Sequence, residues 1–392
     1  MPGTAHAITT LGAAVVGTGF IGRVHVEAVR RLGATIVGVL GSSPDRAQLA
    51  ADELGVPRVY ESYRELLEDP QVDVVHITSP NNVHFEQARD ALLAGKHVVC
   101  EKPLANSSAE TLELRNLACG SGLVHAVNYN ARFYPQIVEA RSRVAGGDLG
   151  ELRLVTGSYR QDWLSQDTDW NWRIDSKTGG ELRSVADIGS HLIDMLTFVT
   201  KRRVTHVMAD LLTFMPVRQR PVGTVRTFGS SGEGAHELVD VASDDAATIL
   251  VRFEGGARGM MAISQVSSGR KNSIEFEIAG SESSLSWNSE SAEELWIGHR
   301  HSPNQILTRD PSLLSPSAAA VATLPGGHVE GFENTFKALY RSVYSRIVDA
   351  GDGATERPHF AGFDDGHRDA LVMDAILESA ATSSWAAVAQ EK

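Results

Sequence analysis

The chain has 392 residues, 42% of them hydrophobic and 22% charged, enough for two domains with sizeable cores. Its net charge of −13 argues against nucleic acid or an anionic membrane surface as a general partner, since both reward surplus Lys and Arg. Cys100 and Cys119 read as reduced thiols of a cytoplasmic protein; no metal-type Cys/His spacing occurs, and neither a signal-peptide pattern nor an apolar run of about 18 residues is seen, so no metal and no membrane are expected.

Ala13–Val16 is a short apolar run expected as a buried parallel strand. It enters Gly17-Thr18-Gly19-Phe20-Ile21-Gly22, a G-x-G-x-x-G, after which Val24, Ala28, Val29 and Leu32 recur at helical spacing until Gly33. Residues 35–40 read as the next strand. Between a strand and a helix the glycines have distinct tasks. Gly17 permits the tight turn, Gly19 lets the backbone approach a pyrophosphate, and Gly22 lets helix and strand pack closely. Phe20 and Ile21 complete a loop whose helix N-terminus draws phosphates.

Strands are expected at 72–77, 97–100 and 124–127, and helices at 83–93 and 108–118. This alternation predicts an α/β, doubly wound parallel sheet over residues 1–127, with ligands beyond the carboxyl ends of its strands. Glu101, Lys102 and Pro103 stand at such an end. From about residue 150 alternating stretches appear at 152–155, 204–214, 248–253, 257–266, 273–278 and 295–297, an antiparallel meander with one buried face. Helical spacing resumes over 329–348 and 366–381. Residues 216–236, with Arg218, Arg220 and Arg226, read either as a solvated irregular loop or as an arm reaching a neighbouring subunit or an anionic substrate. Residues 302–327 read as a long connection.

Within residues 128–392, two stretches carry chemistry. Asp187 and His191, four apart, share one face if the segment is helical, and Asp194 follows three residues later. A carboxylate beside an imidazole tunes a group that shuttles protons near neutral pH; alone, the pattern also fits a capping Asp and a surface His. Residues 159–173, YRQDWLSQDTDWNWR, hold Trp163, Trp170 and Trp172 among Asp162, Asp167 and Asp169. Rings beside carboxylates suit a sugar, whose C–H faces stack and whose hydroxyls donate; a structural loop is the other reading.

The ordered set G-x-G-x-x-G, E-K-P near residue 100 and G-G…D-x-x-x-H near 180–191 resembles the family of glucose–fructose oxidoreductase, inositol dehydrogenase and rhizopine-catabolism proteins, over essentially the whole chain. The resemblance implies a Rossmann domain followed by an α+β domain with a large open, mainly antiparallel sheet, used for substrate binding and for pairing subunits into a homo-oligomer, dimer or tetramer. It implies Lys102 between nicotinamide and substrate, with Asp187 and His191 as the other catalytic groups. It sets Ser79, Pro80, Asn81, His84, Glu101 and Asn128, with Trp172 and Arg173, along the cofactor. Tyr129, Arg132, Trp163, Asp169 and Trp170 would contact a small carbohydrate, and the tryptophan stretch resembles that of members acting on anhydrosugars and glycosides.

The implied activity is hydride transfer between NAD(P) and a secondary hydroxyl of a sugar, polyol or glycoside, with Lys102 and His191 in proton transfer. The same residues would serve an NAD-dependent glycosidase working by transient oxidation, elimination, hydration and re-reduction, on an acidic or sulfonated sugar glycoside for example. A non-catalytic nucleotide-binding regulator is the third class, disfavoured by the intact Lys102 and His191. For cofactor choice, the strand at 35–40 leads into Gly41-Ser42-Ser43-Pro44 with no carboxylate before Asp45, and only Arg46 lies nearby as a cation. Ser42, Ser43 and Arg46 therefore predict weak discrimination that leans to NAD without excluding NADP, and Gly41→Asp is expected to strengthen that lean.

Overall fold

The computed structural model describes residues 7–222, 235–349 and 359–390. They form two compact units: residues up to Asn130 with Phe332–Ala370, and Ala131–Gly331 with the residues from Leu371 onward.

In the first unit β1 (Gly12–Val16), β2 (Thr35–Leu40), β3 (Val74–Ile77), β4 (His97–Cys100) and β5 (His125–Val127) make a parallel sheet in the order β2-β1-β3-β4-β5. β1 and β3 are buried along their whole length, which is why they read as continuous apolar runs. The helices between them are α1 (Phe20–Arg30), α2 (Pro44–Leu54), α3 (Tyr63–Glu68), α4 (His84–Leu93) and α5 (Ser108–Ser121). Their boundaries follow local chemistry. Ser43 caps α2 ahead of Pro44, and Gly55 ends it in the left-handed region; Ser107 and Glu110 form a reciprocal cap on α5. The strand order reverses between β1 and β3, so the loops leaving these two strands flank the switch point where such sheets take ligands.

The second unit carries α6 (Pro135–Gly146), α7 (Ser190–Thr200), α8 (Pro316–Val321) and a nine-stranded sheet. The strands are β6 (Leu152–Arg160), β7 (Val204–Leu212), β10 (Ala246–Phe253), β11 (Arg258–Ser264), β12 (Ser273–Gly280), β13 (Ser283–Asn288), β14 (Glu294–His299), β15 (Gln305–Thr308) and β16 (Ala386–Ala387). Their order is β15-β14-β13-β12-β6-β11-β10-β7-β16, antiparallel except where β6 runs parallel to β11. α7 lies on β6 where Gly157 leaves room: a Cβ there would stand 2.9 Å from Leu192 Cδ1. The fold class expected from the sequence is the one observed, an α/β Rossmann sheet and a large mainly antiparallel sheet.

The described parts of residues 216–236, namely 216–222 and 235–236, depart from the expected irregular loop, and residues 223–234 lie outside the described residues. β8 (Val217–Pro221) and β9 (His236–Asp240) pair as a two-stranded ribbon, Arg220 pairs with Glu237, and Arg218 is fully buried. Arg226 lies outside the described residues. The connection at 302–327 contains β15 and α8. Two further helices, α9 (Phe332–Val348) and α10 (Phe363–Thr382), follow; α9 packs on α1 in the first unit. Both cysteines are free, Cys100 buried and Cys119 exposed.

Candidate active site

In the first unit the glycine loop meets its steric requirements. Gly17 has φ +100°, and a Cβ there would lie 2.7 Å from the Thr78 carbonyl; at Gly22 it would lie 2.0 Å from the Gly17 oxygen. At Gly19 nothing stands within 4 Å of where a Cβ would be. That open space lies at the first turn of α1, which has no capping side chain and no acidic residue, so its amides are left to an anion. These residues fit a dinucleotide pyrophosphate. Phe20 is half exposed beside them.

The neighbouring loop is tied down rather than loose. The Thr78 hydroxyl bridges the Val16 and Gly17 carbonyls at 2.9 and 2.8 Å, and the Ser79 hydroxyl donates to Gln87 Oε1 at 2.5 Å. Pro80 is exposed and Asn81 buried. His84, expected along the cofactor, is instead fully buried, its ring nitrogens 2.8 Å from the Pro103 carbonyl and 2.9 Å from that of Ser79. It fastens this loop to the E-K-P turn, and burial pushes its imidazole below the ordinary value.

Two further residues expected along the cofactor, Glu101 and Asn128, are buried and joined to each other. Glu101 is buried, with Oε1 accepting from Asn128 Nδ2 at 2.5 Å and Oε2 from the Lys102 amide at 3.2 Å. Asn128 is buried too and accepts from the Tyr340 hydroxyl at 3.2 Å. The half-buried Lys102 is thus carried on a braced turn at the carboxyl end of β4. Beyond β2, Ser42 and Arg46 are exposed and joined by an Nη1-to-Oγ contact of 3.5 Å, while Ser43 Oγ accepts from the Arg46 amide as the cap of α2. Tyr129, expected at the substrate, lies in the core of this unit at 1% exposure.

In the second unit Asp187 sits in a turn of π-helix, Val185–Gly189, that runs into α7. The expected α-helical spacing is interrupted there, a feature frequent at functional sites. Arg173 Nε donates to Asp187 Oδ1 at 3.0 Å and Gln265 Nε2 donates to Oδ2 at 2.8 Å. Both carboxylate oxygens are therefore engaged by groups other than His191. The His191 ring lies 6.3 Å from that of Tyr159, whose buried phenol is held above its ordinary value. Asp194 serves the core: it forms a buried, bidentate ion pair with Arg132, whose guanidinium also lies 4.9 Å over the Phe198 ring. Arg132, expected at the substrate, is engaged in this pair.

The tryptophan segment is neither core nor free loop. Trp163 and Trp170 pack half-buried against a small cluster of Leu164, Ile174 and Val241, and Trp172 carries the Arg173 guanidinium 4.3 Å over its ring. Trp163 Nε1 donates to Gln161 Oε1 at 2.7 Å, and the Gln161 amide and the Tyr159 hydroxyl both donate to Asn272. Asp169 Oδ2 accepts from the Gln166 amide at 2.8 Å, closing a turn. Beneath it, Arg218 donates to the carbonyls of Leu164, Gln166 and Asp169 and, with Arg183, grips Asp245; all three side chains are fully buried. Burial alone would raise the Asp245 pKa, but the two guanidiniums and the Met215 amide bring it below the ordinary carboxylate range.

Gln265, Arg183 and Asp245 escape sequence reading, and Arg218, noticed there in a surface stretch, is buried instead. Gln265 lies 78 residues from Asp187, and no spacing rule joins them.

Comparison with known proteins supplies the family. The sequence model of the oxidoreductase family with an NAD-binding Rossmann fold matches residues 11–129, and that of the GFO/IDH/MocA C-terminal domain matches residues 137–286. Levoglucosan dehydrogenase of Pseudarthrobacter phenanthrenivorans is 30% identical, covering 97% of this chain and 98% of its own. The chain belongs to the GFO/IDH/MocA family of oxidoreductases. A levoglucosan dehydrogenase structure in complex with NADH and levoglucosan overlays this GFO/IDH/MocA protein with a TM-score of 0.85 at 28% identity, covering 97% of this chain and 100% of that one. An inositol dehydrogenase homolog from Azotobacter vinelandii, in complex with NADH and myo-inositol, gives 0.83 at 27%, covering 96% and 97%. As a GFO/IDH/MocA member the chain is an NAD-dependent oxidoreductase, and Gly17, Gly19 and Gly22 belong to its NAD-binding fold.

Proposed function

We propose that the protein oxidises a secondary hydroxyl of a sugar, polyol or glycoside, with an anhydrosugar such as levoglucosan as the first substrate to test. The observation that carries this reading is the Arg173–Asp187 pair, which fastens the tryptophan segment to the D-x-x-x-H turn and so puts stacking rings and a fixed carboxylate in one construction. The likeness to levoglucosan dehydrogenase over nearly the whole chain supports it.

NAD, when bound, supplies the hydride acceptor. The remaining task is the hydroxyl proton. His191 takes it as general base, a role suited to imidazole near neutral pH. The Lys102 ammonium steadies the negative charge that builds on the oxygen as the proton leaves. Asp187, already held by Arg173 and Gln265, accepts a hydrogen bond from a neighbouring sugar hydroxyl and orients the ring. Trp163, Trp170 and Asp169 complete the wall for the sugar.

The same reading extends to assembly. On the outer face of the large sheet Leu154, Met208, Leu250 and Met260 are 38–50% exposed, and Leu250 stands opposite Met208 on one side and Met260 on the other. A second copy packing on this face would cover an apolar surface that a monomer leaves wet. Sedimentation should give a dimer or tetramer, and Leu250→Glu should give monomers; a wild-type monomer removes this part of the reading.

The deciding experiment incubates the protein and NAD with levoglucosan, inositols and a panel of aldoses and glycosides. Net NADH formed in step with sugar oxidation is expected. Glycoside cleavage with no net NADH would replace the dehydrogenase by the redox glycosidase.

A further inference from the structure

Behind the E-K-P turn, inside the first unit, lies a polar chain that the proposed chemistry does not use. His25 sits on α1, six residues after Gly19, and is fully buried. Its Nε2 lies 3.2 Å from Glu101 Oε1 and its Nδ1 lies 3.0 Å from His76 Nδ1. His76 Nε2 lies 2.9 Å from the Tyr344 hydroxyl. The His25 ring is boxed by aromatic neighbours, with Tyr340 at 5.1 Å, His76 at 5.2 Å and Phe336 at 5.8 Å between centroids.

Hydrogen counting orders this chain. Glu101 already accepts from Asn128 and from the Lys102 amide, so its carboxylate is an acceptor at both oxygens. His25 Nε2 must then be the donor to Oε1. Burial and the neighbouring His25 push the His76 imidazole well below its ordinary value, so His76 is neutral and carries one ring hydrogen. With one hydrogen on each ring, the His76 hydrogen sits on Nδ1 and serves the His25 gap, while the Tyr344 hydroxyl donates to His76 Nε2. In this arrangement His25 Nε2–H points at Glu101. His25, His76 and Tyr344 are all fully buried, and Glu101 stands at 6% exposure.

We propose that His25 is a positioning residue for Lys102, acting through Glu101: its Nε2–H fixes the carboxylate that receives the Lys102 amide, and so ties the helix that receives the dinucleotide phosphates to the turn that presents the lysine. A carboxylate deprived of this donor keeps Asn128 and the Lys102 amide but loses the restraint that sets Oε1 from the side of α1, so its orientation, and with it that of the Lys102 amide, relaxes. Rearrangement of about 1 Å in a positioned catalytic group is enough to lower turnover strongly without touching the cofactor phosphates. The inference rests on the assignment of Lys102 to the proton chemistry.

Two substitutions keep opposite ends of the ring, and His25→Leu, close to histidine in volume but with no donor, separates positioning from packing: it should lose as much as His25→Asn. In His25→Gln the side-chain amide nitrogen takes the place of Nε2 and keeps a donor toward Glu101; in His25→Asn it takes the place of Nδ1 and keeps only the side facing His76. With the identified sugar, His25→Asn should lose about tenfold or more in kcat while the Kd for NAD changes less than about threefold, and His25→Gln should recover most of the loss. Equal losses in His25→Asn and His25→Gln, or a loss confined to NAD binding, overturn the proposal. Nitrogen-15 spectra of histidine-labelled wild-type protein test it without any variant, should either fail to fold: His25 must carry its hydrogen on Nε2, and a bare Nε2 overturns it. Failure of the underlying reading looks different, since Lys102→Ala would then keep its turnover; failure of this inference leaves Lys102→Ala inactive and His25→Asn active.

Discussion

Arg173 Nε lies 3.0 Å from Asp187 Oδ1, and across the carboxylate Gln265 Nε2 lies 2.8 Å from Oδ2. The aspartate of the D-x-x-x-H turn is therefore held from two sides by residues of the tryptophan segment and of the stretch after β11. An anion fixed in this way accepts a further hydrogen bond in a set direction, which suits orienting a polyhydroxylated ring. Gln265→Leu removes one of these restraints on the carboxylate. We expect kcat/KM for the sugar to fall by about tenfold, the scale of one hydrogen bond to a charged group, with the Kd for NAD little changed. An unaltered kcat/KM would show that Arg173 alone is sufficient.

Lys102→Ala and His191→Ala should each reduce turnover by about 100-fold or more, the usual scale for losing an acid–base group, with dinucleotide binding near wild type. Steady-state kinetics with NAD titrated by fluorescence checks both halves. Near-native turnover in both variants would remove these residues from the chemistry.

Arg218 joins the carbonyls of Leu164, Gln166 and Asp169 to the buried Asp245, so it sets the path of the chain that carries Trp163 and Trp170. Arg218→Met should raise KM for the sugar more than it weakens NAD binding. Asp245→Ala leaves two buried guanidiniums without their anion and should cost about 3–5 kcal/mol, the scale for breaking a buried ion pair. Urea unfolding of the two variants tests the ranking, with Asp245→Ala expected to be the weaker.

Acid should destabilise the first unit through its buried histidines. Burial lowers the imidazoles of His76 and His84 below their ordinary value, aided at His76 by His25 and opposed at His84 by the carbonyls of Pro103 and Ser79. Unfolded, both take a proton near pH 6.5, where the folded protein still excludes it. The unfolded state then binds more protons, so stability falls as the pH drops below that point, by up to about 1.4 kcal/mol per pH unit for each histidine. The urea midpoint should move down between about pH 7.5 and about pH 5.5; an upward movement would contradict the assignment of neutral buried rings.

Cofactor preference should be shallow. With no carboxylate between β2 and Asp45, and Arg46 reaching back to Ser42, the kcat/KM values for NAD and NADP should lie within about 1–3 kcal/mol of each other, NAD ahead. Gly41→Asp, the natural choice from sequence, is a poor test: its Cβ would meet Ala47 Cβ at 2.9 Å and press on α2. Ser42→Asp, at an exposed position, should widen the preference for NAD by repelling the 2′-phosphate. A thousandfold wild-type preference for NADP would instead make Arg46 a dedicated phosphate clamp.

By itself the sequence determined whatever depends on neighbours along the chain. The apolar runs of β1 and β3, the tasks of Gly17 and Gly22 and the placing of Lys102 at a strand end are local or periodic, and the glycine motif and E-K-P, with the later D-x-x-x-H, also carried the resemblance to the family. The tertiary structure alone decided which polar side chains meet. It took Arg132 into a pair with Asp194, buried Arg218 where a solvated loop was expected, turned His84, Glu101 and Asn128 inward as braces, and put Gln265 on Asp187 and His25 on Glu101. These partners are separated by tens of residues, and each pairing exists because a buried charge or ring nitrogen must find a hydrogen-bonding partner in its own surroundings. Periodicity says which face turns inward; it does not say what waits there.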